Sequence, residues 1–188
     1  MSPEEQQQLI SEAKIHSGSF AKLYDFYYPK ILGYAFRRTL DIDLAKDITS
    51  ETFLKAYSNI GTFKWKGIAF SSWLFKIATN EMNMLYRKKR STRASMDKIN
   101  AAIYSLDDNN PLEEEKERLE RQLKQSTEFI KVQQKLLLLP VKYQEVIALR
   151  FFEEKTIREI AEILACREGT IKSLLARGIR KLKELVTD

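Results

Sequence analysis

Two short amphipathic segments near the end of the chain restrict what this sequence can fold into. Over residues 156–182, apolar residues recur with the spacing of one helical face in two separate runs. They are Ile157, Ile160, Ala161 and Leu164 in the first run and Ile171, Leu174, Leu175 and Leu182 in the second. Only a few residues around Cys166 separate the runs, so two helices joined there must cross. The pattern predicts a helix-turn-helix, whose second helix can enter the major groove of DNA.

The charge of the second segment separates this interpretation from its alternative, an ordinary helical hairpin inside a bundle. Over residues 167–183, one acid, Glu168, stands against six basic residues. The basic residues are Arg167, Lys172, Arg177, Arg180, Lys181 and Lys183. Because such an excess of cations suits the phosphate backbone, the charge favours the DNA-binding interpretation.

The composition of the chain limits what this DNA-binding segment is attached to. The chain has 188 residues, enough for one large domain or two small ones, and its 6 glycines, 4 prolines and 31% charged residues are typical of a mostly helical protein. Its net charge of +6 fits a polyanionic partner. The single cysteine excludes an intramolecular disulfide, and with a single histidine it argues against a structural zinc site. We expect a cytoplasmic protein with no metal, no cofactor and no segment inserted in a membrane.

Three helices are predicted in the first 60 residues. A short polar helix covers residues 3–16, and in the second an apolar face runs from residue 20 to residue 35, in phase through Pro29. The third, over residues 43–60, buries Ala45, Ile48, Thr52, Ala56 and Ile60. Its opposite face aligns Asp47, Ser50, Glu51 and Leu54. Two acids beside an exposed leucine suit a basic partner helix, although acids on a helix face are more often simply solvated.

Residues 61–93 are unusually basic and aromatic. They contain eight Lys and Arg side chains against one acid, Glu81. The aromatic residues among them are Phe63, Trp65, Phe70, Trp73, Phe75 and Tyr86. Cations follow phosphates, and ring faces stack on exposed bases for ~1–3 kcal/mol each. The segment is therefore typical of a surface for single-stranded nucleic acid, with some of its rings in the core.

Most of this segment is predicted to form a helix that begins near Ser71 or Ser72. The residues that face inward are Leu74, Ile77, Ala78 and Leu85. The outward stripe consists of Trp73, Lys76, Asn80, Asn83, Arg87 and Arg90. This stripe combines cations for phosphate with amides that can read a base edge, and the loop at residues 62–70 is expected to lie over its beginning.

A stretch without clear periodicity divides the chain into two domains. We place an N-terminal domain at residues 1–93, a linker at 94–125 and a C-terminal domain at 126–188. Helices over residues 127–139 and 142–152 supply the surface on which the helix-turn-helix packs, with Val146, Ile147 and Phe151 inward. The predicted fold is all-α: two small helical bundles joined by a flexible linker, the C-terminal one containing the helix-turn-helix.

Four strings carry a resemblance to a known family, in the order DLAKDITSETFLKAY, SSWLFKIATNEMNMLYRKKR, LPVKYQEVIALRFFE and TIREIAEILACREGTIKSLLARGIRKL. Together they resemble the extracytoplasmic-function (ECF) sigma factors, the small two-domain promoter-specificity subunits of bacterial RNA polymerase. The resemblance covers residues 18–185, with a variable linker between the second and third strings.

The resemblance implies a role for each surface picked out above. The face with Asp47, Ser50, Glu51 and Leu54 would contact the clamp helices of core RNA polymerase. The loop with Phe63, Lys64 and Trp65 and the outward stripe would capture unpaired bases of the -10 element and assist melting, with Asn80 placed for an extruded base. The helix-turn-helix would read the -35 element as duplex through Arg167, Glu168, Thr170, Lys172, Ser173 and Arg177. A further implied partner is an anti-sigma factor that covers both DNA-binding faces.

The second helix of the helix-turn-helix departs from the family at three positions. Leu174 and Ile179 stand where further basic residues are common, and Gly178 stands where a small residue such as alanine is common. A glycine inside a helix costs ~1 kcal/mol relative to alanine. Residues 167–173 are therefore expected to contribute most of the DNA reading. Cys166 is expected to be a small buried thiol in the turn.

Two other functions are compatible with parts of the sequence. A stand-alone helix-turn-helix transcription factor with a helical sensor or dimerisation domain would bind duplex DNA without polymerase, and it leaves the basic aromatic segment unexplained. A nucleic-acid enzyme would need a phosphate-binding or metal-binding motif, but the chain has no G-x-x-x-x-G-K-[ST] loop, no H-E-x-x-H and no ordered carboxylate cluster. We expect no catalytic activity.

Overall fold

The chain folds into helices on both sides of the predicted linker. The computed structural model describes residues 2–64, 69–91 and 127–187, and every element assigned within these ranges is helical. The linker predicted at 94–125 lies outside the described residues, as does Trp65. The described helices form two bundles, one on each side of the gap, which confirms the predicted all-α fold.

The N-terminal bundle is built from four of the described helices and a short 3-10 turn. They are α1 (Pro3–Ala13), α2 (Ser17–Thr39), α3 (Ile42–Asn59), the 3-10 turn (Ile60–Thr62) and α4 (Phe70–Ser91). Side chains fix where two of them begin. Ser2 and Glu5 form a reciprocal capping box at α1, and the Asp41 carboxylate accepts a 3.0 Å hydrogen bond from the Leu44 amide at α3. Pro29 lies inside α2 without ending it.

The apolar face of α2 forms the centre of this bundle. α2 packs on α1, α3 and α4, and α3 also packs on α4. Leu23, Ile31 and Tyr34 of α2 are fully buried, as is Phe70 of α4. Burying each such side chain contributes about 1.5–3 kcal/mol, and the Tyr34 hydroxyl is satisfied 2.9 Å from the Thr79 hydroxyl. These contacts fix which face of α4 points away from the core.

The C-terminal bundle is organised around its last helix. The described elements are α5 (Thr127–Leu137), α6 (Val141–Ile147), a π-helical turn (Ala148–Phe152), α7 (Ile157–Ile163) and α8 (Glu168–Thr187). α8 packs on α5, α6 and α7. A capping box of Thr156 and Glu159 begins α7, and Ala165 adopts a left-handed φ of 51° in the turn before α8. The helix-turn-helix predicted from the sequence is confirmed as α7, this turn and α8.

Two side chains of the C-terminal domain lie where the sequence prediction did not put them. Phe151 was predicted to face inward on a regular helix, but it is 58% exposed, while Leu149 is fully buried. The α-helix gives way to a π-helical turn after Ile147, and the wider turn changes the rotation of the side chains that follow. Cys166 is exposed rather than buried, because the turn holds it outside the core. Both predictions were wrong.

The structure accounts for the glycine inside α8. Gly178 is buried against α6, and a Cβ atom built on it would lie 3.2 Å from Tyr143 Cβ and 3.2 Å from Ile147 Cδ1. Leu174 and Ile179 are half-buried, and Leu174 packs against the core. The departures from the family at these three positions therefore coincide with the packing of α8 in its own domain.

We expect Gly178→Val to lower the free energy of unfolding by about 1–3 kcal/mol, because the new side chain overpacks the contact with α6. The matched control is Gly169→Val in the same helix, where nothing lies within 4 Å of a built Cβ. This control is expected to gain up to about 0.5 kcal/mol from the higher helix propensity of valine. Urea unfolding followed by circular dichroism measures both, and equal effects of the two substitutions would contradict the close approach.

Candidate nucleic-acid interface

The exposed face of α3 carries the four residues predicted for docking. Asp47, Ser50, Glu51 and Leu54 are all exposed, and Leu54 is 59% exposed despite being apolar. The opposite face of the helix is buried through Ala45, Ile48, Thr49, Thr52, Phe53 and Ala56. The structure thus brings the four residues together on one accessible stripe, with Leu54 at its C-terminal end.

The sequence prediction missed an aromatic residue on this same stripe. Tyr57 follows Leu54 by three positions, is 48% exposed and meets the Phe20 ring edge-on with centroids 5.0 Å apart. The spacing from Leu54 was the available signal, since residues three and four apart share a helix face. Tyr57 extends the apolar part of the stripe.

The outward face of α4 presents most of the predicted DNA-binding stripe. Lys76, Asn80 and Arg87 are exposed, whereas Trp73 and Asn83 are half-buried. The α4 backbone continues through Arg90, whose side chain lies outside the described residues. Leu74, Ala78 and Met82 on the opposite face are buried in the core. The described side chains of the stripe are therefore held on one side of a helix whose other side is fixed by packing.

Three aromatic rings cluster where the 3-10 turn meets the start of α4. Phe63 is only 6% exposed, and its ring centroid lies 5.4 Å from that of Phe70 and 5.0 Å from that of Trp73. The Lys14 ammonium donates a 2.8 Å hydrogen bond to the Phe63 carbonyl, which ties this segment to the end of α1. Phe63 supports the half-buried indole of Trp73, so Trp73 is the more accessible of the two rings.

A cavity of about 180 Å³ opens beside this cluster. From the N-terminal bundle it is lined by Thr62, Phe63, Lys64, Ser72, Trp73 and Lys76. α7 completes the wall with Glu162 and Ile163. The cavity joins an aromatic ring to two ammonium groups, which is the chemistry that an unstacked base and its phosphate require.

The first turns of α8 form the second candidate DNA surface. Ile171 and Leu175 anchor the helix in the core. The exposed side holds all six predicted residues, namely Arg167, Glu168, Thr170, Lys172, Ser173 and Arg177. The Arg177 guanidinium folds back on its own helix and donates to the Ser173 hydroxyl at 2.9 Å and to the Ser173 carbonyl at 3.2 Å. Arg177 must leave these bonds to contact a base edge.

The candidate surfaces contain no group of side chains suited to a metal ion. Within the parts of the chain that the structure describes, no three His, Cys, Asp or Glu residues cluster closely enough to bind one. The described helices also include none that is long and apolar enough to span a membrane.

Comparison with known proteins matches both bundles to one family. Residues 23–92 match Sigma-70 region 2, and residues 129–182 match Sigma-70, region 4. The RNA polymerase sigma factor YlaC of Bacillus subtilis is 31% identical, with 92% of this chain and 94% of YlaC aligned. The ECF RNA polymerase sigma factor SigW of the same organism is 32% identical over 90% of each chain. This chain is an ECF sigma factor.

Solved structures support the fold of the sigma factor. CnrH, solved with the cytosolic domain of CnrY, aligns with a TM-score of 0.69 and 21% identity over 97% of each chain. RpoE from Bartonella quintana, solved with the anti-sigma factor NepR, aligns with a TM-score of 0.66 and 24% identity over 89% of this chain and 96% of RpoE. At these identities the likeness establishes the fold alone.

Family membership establishes the general role of the sigma factor. It is a promoter-specificity subunit of bacterial RNA polymerase, with core polymerase and promoter DNA as its partners. The family is one of specificity subunits and is not known for catalysis. The resemblance seen in the four sequence strings is thereby confirmed at the level of family and function.

The two bundles of the sigma factor also contact each other, which the sequence did not predict. α4 packs against α7, and α2 packs against the π-helical turn. Arg37 of α2 forms an ion pair with Glu153, which follows the π-helical turn. Burial raises the pKa of the Glu153 carboxyl, and the neighbouring Arg37 guanidinium only partly opposes that shift. The pair spans 116 positions of sequence, so no local pattern could have revealed it.

Proposed function

We propose that the sigma factor divides promoter recognition between its two bundles. The outward face of α4 and the adjoining cavity take up unpaired bases of the -10 element, and the first turns of α8 read the -35 element as duplex. The observation that carries this proposal is the cavity beside Trp73, with the ammonium groups of Lys64 and Lys76 in its wall. The resemblance of this part of the chain to the region that melts DNA in the family also supports the proposal.

The -10 surface combines stacking with phosphate binding. Phe63 supports the ring of Trp73, and we assign Trp65 to the same base-binding group. Lys64, Lys76, Arg87 and Arg90 neutralise phosphates, while Asn80 and Asn83 supply amides for a base edge. Stacking contributes ~1–3 kcal/mol per base, which can offset the few kcal/mol needed to extrude a base from the duplex. The surface therefore favours binding of the melted DNA strand over binding of the intact duplex.

The -35 surface uses a different chemistry, because its bases stay paired. Arg167 and Arg177 can donate two parallel hydrogen bonds to guanine, and Glu168 can accept from the amino group of cytosine. The further residues of this surface are Thr170, Lys172 and Ser173. The amide groups at the start of α8 are placed to bind a phosphate, which sets the orientation of the helix in the groove.

The exposed stripe of α3 is the proposed docking site for core polymerase. Asp47, Ser50, Glu51 and Leu54 correspond to the part of the family that binds the clamp helices, and Tyr57 extends the same face. Acidic side chains beside exposed apolar ones suit a partner that offers basic and apolar side chains next to each other.

The remaining partners follow from this role. RpoE of Bartonella quintana was solved with an anti-sigma factor, and we propose a partner of that kind for this chain. We propose a cytoplasmic location, because the protein would act together with core polymerase, and we assign it no catalytic step, metal or cofactor. The competing function, a stand-alone helix-turn-helix regulator, gives no role to the basic aromatic face of α4.

Reconstitution with core polymerase tests the whole proposal. The purified chain is expected to bind core RNA polymerase at low salt and to support transcription from cognate promoters that core enzyme alone does not transcribe. A chain that binds duplex DNA but not core polymerase would behave as a stand-alone regulator, and the proposal would fail.

The division of roles predicts two kinds of mutant. Lys76→Ala and Arg87→Ala should weaken open-complex formation on all promoters and reduce its salt dependence, because each removes a phosphate contact. Arg167→Ala should cost about 1–3 kcal/mol on preferred -35 sequences and relax selectivity there. Abortive transcription from a panel of -35 variants measures both, with Lys22→Ala as a control on an exposed lysine of α2. The same pattern of loss for all three variants would refute the division.

The docking stripe predicts a charge-dependent loss of polymerase binding. Glu51→Lys and Leu54→Ala should each weaken core binding about tenfold, or ~1.4 kcal/mol, the first by like-charge repulsion and the second by lost apolar burial. Glu184→Lys makes the same charge change on an exposed residue of α8 and should leave core affinity unchanged. Surface plasmon resonance on immobilised core enzyme distinguishes these outcomes, and equal weakening by Glu184→Lys would contradict a local docking site.

A further inference from the structure

Within the N-terminal bundle, the wall of the cavity beside Trp73 comes from two segments that are held in different ways. One is the start of α4, which the packing of that helix keeps in place. The other consists of Thr62, Phe63 and Lys64. At Phe63 the backbone leaves the 3-10 turn in an extended conformation, with φ -62° and ψ 123°. The position of this second segment therefore depends on contacts with other parts of the chain.

The lysine that ends α1 makes such a contact. The Lys14 ammonium donates its 2.8 Å hydrogen bond to the Phe63 carbonyl across 49 positions of sequence. That carbonyl belongs to the peptide group that joins Phe63 to Lys64. Because a peptide group is planar, the hydrogen bond orients the backbone on both sides of it. Lys14 thus acts on two of the residues that line the cavity.

The packing of α1 gives Lys14 a fixed point from which to reach this carbonyl. Lys14 is the C-terminal cap residue of α1. Just before it, Ile10 and Ala13 are buried in the N-terminal bundle. Nearer the start of the helix, the Gln6 amide donates a hydrogen bond to the Tyr27 hydroxyl of α2. Because α1 is anchored along its length, the core of the bundle determines where its capping lysine lies.

The backbone at Phe63 decides where its ring lies, and this ring supports the indole of Trp73. The two ring centroids are 5.0 Å apart, with an angle of 43° between the ring planes. Phe70 lies 5.4 Å from both rings, so the three form one group. A binding group has to be held within about 0.5 Å of its productive geometry. A displacement of the Phe63 carbonyl would therefore disturb the indole that is proposed to meet a base.

We propose that Lys14 is a positioning residue of the -10 surface: its ammonium holds the peptide group between Phe63 and Lys64, and through it the aromatic support of Trp73. This inference rests on the function proposed for α4. Lys14 contacts no base in this role. Without its hydrogen bond, fewer molecules hold the indole in the binding geometry, and the affinity for an unstacked base falls by the same fraction.

The alternative is that Lys14 only adds a cation to a DNA-binding surface, since this residue is exposed. The dependence of binding on salt separates the two roles. Each phosphate contact to a single strand contributes about 0.7 to the slope of log affinity against log salt concentration. Loss of a phosphate contact lowers that slope, whereas loss of a positioning contact leaves it unchanged.

Binding of a labelled single strand to the full chain tests the proposal. Fluorescence anisotropy measures the affinity for a strand of about 12 nucleotides and mixed sequence, at salt concentrations from about 50 to about 200 mM. Lys14→Ala should bind at least about threefold more weakly than the parent chain, with the same salt slope. Lys14→Arg should restore the affinity to within about twofold, because a guanidinium can donate to the same carbonyl.

Lys76→Ala serves as the comparison for a lost phosphate contact and should lower the salt slope by about 0.7. If Lys14→Ala lowered the slope as Lys76→Ala does, Lys14 would be a phosphate contact and the proposal would be wrong. Parent-like affinity of Lys14→Ala would also overturn it.

The fluorescence of Trp73 reports the expected displacement directly. The chain has two tryptophans, so Trp65→Phe leaves Trp73 as the only one. In that background and without DNA, Lys14→Ala should increase the quenching of the remaining indole by acrylamide, because a displaced Phe63 ring leaves it more exposed. Lys22→Ala makes the same charge change on an exposed lysine of α2 and should leave the quenching as it was. Unchanged quenching with Lys14→Ala would refute the link to Trp73.

A further control separates positioning from the general stability of α1. Ser2→Ala removes the capping box of α1 and leaves the hydrogen bond from Lys14 in place. Circular dichroism should show the helix content of the parent chain for Ser2→Ala and for Lys14→Ala, and only Lys14→Ala should weaken binding of the strand. If Ser2→Ala weakened binding equally, the effect would come from α1 as a whole and the proposal would fail.

The variants of α4 separate this inference from the function on which it rests. If Lys14→Ala binds the strand like the parent chain while Lys76→Ala binds it more weakly, the function proposed for α4 stands and the inference is lost. If neither Lys76→Ala nor Trp73→Ala weakens binding, α4 does not bind the strand, and the proposed function fails together with the inference.

Discussion

The division of α4 into a buried face and an exposed face is the constraint on which the rest of the molecule depends. Phe70, Leu74 and Ala78 are fully buried, and each large apolar side chain contributes about 1.5–3 kcal/mol by leaving water. The helix cannot rotate without losing these contacts. Residues three and four positions apart on the other face are therefore held in a line, with Trp73 at the cavity and Arg87 farther along the helix.

Sequence periodicity predicted the features that depend on one helix at a time. The exposed stripes of α3 and α4 and the helix-turn-helix all follow from which residues recur at three and four positions, because that spacing alone decides which side is buried. Periodicity does not show which other part of the chain packs against a given helix face. The Arg37–Glu153 pair, the Asn83–Glu145 hydrogen bond and the position of Phe151 after a π-helical turn depend on tertiary placement or on a break in the helical repeat.

The second helix of the helix-turn-helix has two different tasks along its length. Its first turns expose Arg167, Thr170 and Lys172, while Gly178 farther on is buried tightly against α6, where a built Cβ would lie 3.2 Å from the nearest side-chain atoms. The glycine costs about 1 kcal/mol of helix propensity, and the close approach of two helices offsets that cost. Leu174, Gly178 and Ile179 depart from the family's DNA-contacting pattern. In the structure they lie in the half of α8 that packs within its own domain, and this packing holds the first turns of the helix in position.

The contact between the bundles is made largely by polar and charged side chains, among them Arg37, Glu153, Asn83 and Glu145. Burial raises the pKa of Glu153 although Arg37 is beside it, which means that desolvation outweighs the attraction for this carboxylate. Buried ion pairs of this kind define geometry more than they add stability, because leaving water costs nearly what the pairing returns. Asn83 and Ser72 can exchange a carboxylate for a phosphate or a base with little change in hydrogen bonding.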